Sequence, residues 1–139
     1  MADYYTHFSR LLDLGTEAKA DQALDLFLRL SDDEDAEGEL LYHGFDLSRV
    51  DGGTGGLLWI RDDDSGDIES LIAFVLRLAE ELDLSGLWGF DYANTCSRPR
   101  IDAFGGGAHV IDLGRRKSIG WTSTQEWLAI ALTGEEPDA

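Results

Sequence analysis

Apolar residues recur at intervals of three and four through the first thirty residues, which is the spacing of amphipathic helices. Residues 3–14 and residues 16–30 both show this spacing, and Gly15 between them is a typical helix-terminating residue. Thr16 is suited to cap the second of these helices. The pattern therefore predicts a helical hairpin at the start of the chain.

The strongest helical pattern in the sequence begins at Ile68. From there to Leu82 the apolar residues form one continuous stripe, and Asp67 or Ser65 precedes the stripe as a candidate N-cap. A shorter apolar pattern near the end of the chain predicts a last helix, which ends at Leu132.

Apolar and polar residues alternate with a period of two in most of the remaining chain, as they do in half-buried strands. This alternation predicts strands at residues 41–50, 57–61, 87–93, 108–113 and 117–121. The run DGGTGG between the first two of them predicts a hairpin. The triple glycine that precedes the fourth strand predicts a bulge or a tight bend.

Hairpin-linked strands with helices grouped apart from them are typical of the α+β class. We therefore predict a single α+β domain over residues 1–134. Its predicted architecture is a largely antiparallel sheet of about five strands with a long helix packed on one face, an N-terminal helical hairpin and a C-terminal helix. Residues 135–139 are predicted to form a disordered acidic tail.

The formal net charge is −17, from 28 acidic and 11 basic residues. Such a charge repels nucleic acid backbones and anionic membranes, and it attracts basic surfaces. We therefore expect a basic protein partner, no direct nucleic acid binding and no membrane binding. The run SDDEDAEGE at residues 31–39 is either a solvated linker or an acidic segment that contacts this partner.

Cys96 is the only cysteine, so the fold is expected to need no intramolecular disulfide. The first residues lack the basic and apolar regions of a secretory signal. The longest apolar run also falls well short of the ~20 residues that span a bilayer. These features predict a cytoplasmic location.

A group of basic and aromatic residues interrupts the acidic chain between residues 86 and 121. Arginine and aromatic residues dominate binding hot spots, so this group is a candidate interface or pocket. Alternatively, the arginines pair with the surplus carboxylates, and the segment GRRK is a solvated hairpin turn. The candidate binding residues are Tyr92, Cys96, Arg98, Arg100, His109, Arg115, Arg116, Lys117 and Trp121; the five cations among them are called the basic island below.

Cys96 and His109 are the candidates for covalent catalysis, with Arg98 and Arg100 supplying the positive field that a reactive thiol needs. No known cysteine-enzyme motif surrounds them, and the G-x-S-x-G motif of serine hydrolases does not occur in the sequence. The three histidines and Cys96 also lack the spacings of zinc sites. We expect no catalytic residue, metal or cofactor, and an enzyme or small-ligand site around Cys96, His109 and the Arg98 and Arg100 loop is the alternative.

The segments ADYYTHFSRLLD, YANTCSRPRIDAFGGGAHVIDL and WTSTQEWLA resemble small acidic proteins of unknown function from bacteria, of plasmid- or phage-associated type. This resemblance implies no activity and assigns no residues. Together with the charge, it favours a binding protein: an inhibitor of the immunity or DNA-mimic type that engages a basic partner. A homodimer, in which the basic island meets an acidic face of a second copy, is a further option.

Overall fold

The computed structural model describes residues 4–30, 42–53, 55–63, 66–98 and 104–134. These residues form seven strands and three helices. In chain order the elements are β1 (Tyr4–His7), β2 (Ser9–Asp13), α1 (Glu17–Leu30), β3 (Phe45–Arg49), β4 (Leu57–Asp62), α2 (Ile68–Leu82), β5 (Leu87–Cys96), β6 (Gly105–Asp112), β7 (Lys117–Ser123) and α3 (Thr124–Leu132). The predicted acidic segment at residues 31–39, the predicted tail at residues 135–139 and the candidate residue Arg100 lie outside the described residues.

The strands form two antiparallel sheets. The four-stranded sheet has the order β1-β5-β6-β7, and the three-stranded sheet has the order β2-β4-β3. The chain passes from one sheet to the other at Phe8, the single residue between β1 and β2. A second link between the sheets is the indole N–H of Trp88 on β5, which donates to the carbonyl of Leu11 on β2 at 2.9 Å.

One hydrophobic core joins both sheets to α1 and α2. The side chain of Phe74 on α2 lies at the centre of an aromatic cluster, with ring centroids 5.6 Å from Phe27, 5.3 Å from Phe45 and 6.0 Å from Tyr42. Aromatic pairs at such distances add to the stability that burial of the rings alone supplies. Helix α2 is held at its start by Asp67, whose carboxylate accepts the Ser70 N–H at 2.9 Å, as expected for an N-cap.

The predicted N-terminal helical hairpin is wrong, because residues 4–13 form the two strands β1 and β2. The buried residues Phe8 and Leu12 are four positions apart, which suits a helix. However, the sequence YYTH at 4–7 has high β-propensity, and β1 finds its partner β5 far along the chain. The long-range pairing outweighs the local helical spacing.

The predicted single sheet of five strands, with a long helix across one face, is also wrong. β1 pairs with β5 and β2 pairs with β4, so the two N-terminal strands belong to different sheets. One sheet has four strands and the other has three. Helix α2 has 15 residues against 14 in α1, and the two helices contact each other. The helical layer is thus shared between α1 and α2 rather than made by one long helix.

The triple glycine lies inside β6 and forms no bend. A Cβ atom at Gly106 would collide with the carbonyl of Tyr92, and one at Gly107 would collide with the carbonyl of Thr122. Glycine is therefore needed here because neighbouring backbones approach β6 closely. β6 does have an irregularity, but it lies further along the strand, between Val110 and Ile111, where the register with β7 shifts.

Replacement of Phe74 by alanine should lower the free energy of unfolding by about 3–5 kcal/mol, because the side chain is fully buried and its loss leaves a cavity. The measurement is urea unfolding followed by tryptophan fluorescence. The matched control is Leu28→Ala on α1, where the leucine is 69% exposed and we expect a change within about 0.5 kcal/mol. Equal losses in the two variants would show that the aromatic cluster is not the core.

Candidate functional site

The basic island is divided in the structure. Arg115, Arg116 and Lys117 lie at the turn between β6 and β7, beside the start of β5, because Leu87 pairs with Asp112. Arg98 follows the other end of β5. A strand of ten residues spans about 30 Å, so Arg98 and the turn do not form one binding surface.

Arg116 has a structural role at this turn. Its guanidinium Nη1 donates to the carbonyls of Leu113 at 2.6 Å, Gly114 at 2.9 Å and Leu84 at 3.1 Å. Its Nη2 donates to the carboxylate of Asp83, the C-cap of α2, at 2.9 Å. Arg116 therefore ties the end of α2 to the β6–β7 turn, and its donors are directed at its own chain.

The other cations of the island are on the surface. Arg115 pairs with Asp112 at 3.5 Å, an interaction between neighbours in the turn. Lys117 and Arg98 are exposed. An exposed pair of this kind contributes little to stability, about 0–1 kcal/mol.

Cys96 and His109 are far apart. Cys96 lies at the end of β5 opposite Tyr4, whereas His109 on β6 lies opposite Phe90, six residues back along β5. Six residues of strand correspond to roughly 20 Å, which is much too far for a proton transfer between a thiol and an imidazole. The structure therefore does not join the two predicted catalytic candidates in one site.

His109 lies in an aromatic row that crosses three strands. Its ring stacks between Phe90 on β5, with centroids 6.0 Å apart, and Trp121 on β7, with centroids 6.1 Å apart. The His109 Nε2 atom lies 2.6 Å from the Ser118 hydroxyl. Burial lowers the pKa of His109, because the charged imidazolium loses hydration between these rings. Tyr92, another candidate, extends the row along β5 next to Phe90.

A polar relay that the sequence did not indicate links His7, Asp62 and Thr95. The His7 Nδ1 atom lies 3.0 Å from Asp62 Oδ2, and His7 Nε2 lies 3.2 Å from the Thr95 hydroxyl. Asp62 Oδ1 also accepts the backbone N–H of Phe8 at 2.9 Å. The order of groups (hydroxyl, imidazole, carboxylate) is the order in a hydrolase triad.

The position of the relay shows its role. Asp62 is the last residue of β4 in the three-stranded sheet, whereas His7 and Thr95 belong to the four-stranded sheet. The relay therefore clamps the two sheets together at the chain crossing. An open cleft of roughly 310 Å³ lies beside it, and Thr95 is not among the residues that line this cleft, which are His7, Phe8, Ser9, Asp62, Asp91, Tyr92 and Ala93. Because Thr95 does not line the cleft, the relay is suited to holding the fold rather than to nucleophilic attack.

Nothing in the sequence indicates the relay, because Asp62 and Thr95 are 55 and 88 positions from His7 and only the strand pairing brings the three residues together. Within the described part of the chain, no group of three or more His, Cys, Asp or Glu side chains is arranged to hold a metal ion. Among the same residues, no helix is long and apolar enough to cross a membrane.

Comparison of the chain with protein-family models, with curated protein sequences and with solved structures finds no match. The function is therefore inferred from the sequence and from the geometry of the described residues.

Replacement of Asp62 by alanine should lower the free energy of unfolding by about 1–3 kcal/mol, since it leaves the Phe8 N–H and His7 without their acceptor. Thermal or urea unfolding measures the loss. Asp91→Ala, an exposed aspartate at the same cleft, is the control and should change stability by less than about 0.5 kcal/mol. A loss at Asp62 no greater than at Asp91 would contradict the clamp.

His109 should make stability depend on pH. Its pKa in the fold is below the unfolded value of about 6.5, so the unfolded state binds more protons and stability falls as the pH drops through about 6.5. We expect the stability difference between wild type and His109→Gln to shrink from pH about 8 to about 5.5, where ordinary carboxyl groups are still ionised. Urea titrations at the two pH values measure it, and a constant difference would refute the expectation.

Proposed function

We propose that this protein is a binding protein that engages a basic protein partner through its surplus carboxylates. It acts as an inhibitor of the immunity or DNA-mimic type and meets its partner in the cytoplasm. The observation that carries the proposal is a row of three largely exposed carboxylates on helix α1, Glu17, Asp21 and Asp25, in a chain whose formal net charge is −17.

Among the residues that the structure describes, five arginines pair with carboxylates of their own chain, at N···O distances of 2.9–3.5 Å. The pairs are Arg29 with Asp25, Arg49 with Glu17 and Asp21, Arg77 with Glu81, Arg115 with Asp112, and Arg116 with Asp83. Ion pairs within the chain do not change the formal net charge, which is −17. The field of this surplus accelerates association with a basic surface.

Helix α1 carries three of these carboxylates in a regularly spaced row. Glu17, Asp21 and Asp25 follow each other at intervals of four residues and therefore lie on one helix face, about 6 Å apart along the axis. Each of the three is in an ion pair within the chain, Glu17 and Asp21 with Arg49 and Asp25 with Arg29, but the side chains remain largely exposed. A basic partner therefore competes with these two arginines. We call these three residues the α1 acidic ridge. In the sequence, the SDDEDAEGE run follows α1 directly and adds six further carboxylates.

A row of carboxylates on a rigid helix can take the place of phosphates in front of a basic protein, because both present regularly spaced negative charges. The alternative, an enzyme or small-ligand site around Cys96 and His109, has less support, because those two residues lie at different places on the four-stranded sheet. The basic island gives it no support either, since the strand length separates Arg98 from the turn.

The proposal predicts a partner whose binding is sensitive to salt. Immobilised protein should retain a basic protein from a lysate of the source organism at about 0.1 M salt and release it at about 1 M, as the Debye length falls from about 10 Å to about 3 Å. Mass spectrometry identifies the retained protein, and titration with the purified partner gives the Kd at each salt concentration. Retention of no basic protein, or a Kd independent of salt, would refute the proposal.

Neutralising the α1 acidic ridge should weaken this binding by about tenfold or more. The variant is the triple change Glu17→Gln, Asp21→Asn and Asp25→Asn. A second triple variant, Glu69→Gln, Glu80→Gln and Asp91→Asn, removes the same charge from exposed positions elsewhere and should bind nearly as well as wild type. If the two variants lose affinity equally, the net charge matters but the ridge is not the contact surface.

A further inference from the structure

Arg49 lies against the α1 acidic ridge although it belongs to another element. It is the last residue of β3, and its guanidinium contacts two ridge carboxylates at once. The Nη2 atom lies 3.1 Å from Glu17 Oε1, and the Nη1 atom lies 2.9 Å from Asp21 Oδ1. Glu17 and Asp21 are four residues apart on one helix face, so a single guanidinium bridges successive turns of α1.

The bridge depends on the shape of the guanidinium group. This group is planar and presents its N–H donors in a fixed fork, so two of its nitrogens can meet two carboxylates whose spacing the helix fixes. A lysine ammonium is a compact point charge without this fork. The pair Glu17 and Asp21 therefore suits an arginine better than it suits cations in general.

Arg49 reaches the ridge by tertiary contact rather than by helix spacing. The pair of Arg29 with Asp25 forms between residues four apart on α1, whereas Arg49 is 28 positions from Asp21. The backbone of Arg49 is held opposite Leu58 of β4 in the sheet. The side chain can therefore leave the carboxylates while the residue stays beside them, and a tethered cation of this kind competes at a high effective concentration.

The contact is open to exchange with a cation from outside. The side chain of Glu17 is 70% exposed and that of Asp21 is 61% exposed, although both contact Arg49. Exposed ion pairs hold their members weakly, because water and salt screen the attraction. An arginine of another protein can therefore take the place of Arg49 without a change in the fold.

We propose that Arg49 is an autoinhibitory contact on the α1 acidic ridge: it occupies the pair Glu17 and Asp21 in the free protein and gives way to an arginine of the basic partner. This inference rests on the proposed function, because it concerns the same carboxylates. It adds the residue type that the partner inserts. It also adds a threshold, since a single lysine gains too little to displace a tethered guanidinium, whereas a surface with several arginines gains enough.

The test is the affinity of the full chain for a labelled hexa-arginine peptide, measured by fluorescence anisotropy at about 0.1 M salt. The central variant is Arg49→Lys, which keeps the net charge of the chain and removes the fork. We expect Arg49→Lys to bind the peptide about three- to tenfold more tightly than wild type, because the two carboxylates are no longer bridged. Affinity equal to that of wild type would overturn the proposal.

The control for charge is Arg115→Gln, which removes one cation from another exposed ion pair, that with Asp112. Arg49→Gln makes the same change of charge at the ridge and should bind hexa-arginine more tightly than Arg115→Gln does. Equal affinities of these two variants would assign the gain to net charge alone and overturn the proposal. Circular dichroism checks the folding of each variant.

The triple variant of the α1 acidic ridge locates the effect. Addition of Arg49→Lys to that variant should change the affinity for hexa-arginine by less than about twofold, because the carboxylates that Arg49 covers are already neutral. A full gain in this background would place the action of Arg49 elsewhere and overturn the proposal. Hexalysine should gain less than hexa-arginine from Arg49→Gln, and an equal gain would contradict the preference for arginine.

The peptides need no natural partner, so the two proposals fail separately. Tighter binding of hexa-arginine by Arg49→Lys, with no basic protein retained from the lysate, would support the exchange at the ridge and refute the basic-partner proposal. A salt-sensitive partner that binds wild type and Arg49→Lys with the same Kd would support the basic-partner proposal and overturn the autoinhibitory contact.

Discussion

The fold depends on the point where the chain crosses from one sheet to the other. Phe8 is the single residue between β1 and β2, and its ring packs on Phe90, with centroids 6.1 Å apart. Its N–H donates to the side chain of Asp62, and its carbonyl accepts the Asp62 N–H at 3.1 Å. Buried groups of this kind must be satisfied within the protein, since a lost partner costs about 1–3 kcal/mol. Asp62 satisfies them through its carboxylate and its backbone N–H, and it holds His7 as well, so this one residue links the two sheets at the crossing.

The charges of the molecule divide into two groups with different roles. Five arginines of the described residues form ion pairs with carboxylates of the same chain, and Arg116 in particular closes the turn beside α2. The α1 acidic ridge presents exposed negative charge on a rigid support.

Local features were predictable from the sequence, and long-range features were not. The apolar stripe of α2 and its cap at Asp67 follow from the spacing of nearby residues, and so do the strands on either side of the GRRK turn. In the segment YYTHFSRLLD the spacing of Phe8 and Leu12 predicts a helix, but the segment forms two strands whose pairing partners lie far away in the sequence. The same limit applies to the site. Cys96 and His109 are only 13 positions apart in the sequence but diverge on the sheet, whereas His7 and Thr95 meet from 88 positions apart.

The pairing of β1 with β5 has a consequence for how the chain reaches this structure. Thr6 bonds to Asn94, 88 positions later, so the first strand has no partner until most of the chain exists. Contacts at such separation slow folding, because the conformational entropy of closing the loop is lost before the contacts contribute any stability. During synthesis, the chain emerging from the ribosome therefore exposes Phe8 and the unpaired edges of two strands. β1 stays unpaired until β5 has been made, and this is the interval in which its exposed edge most needs protection from aggregation.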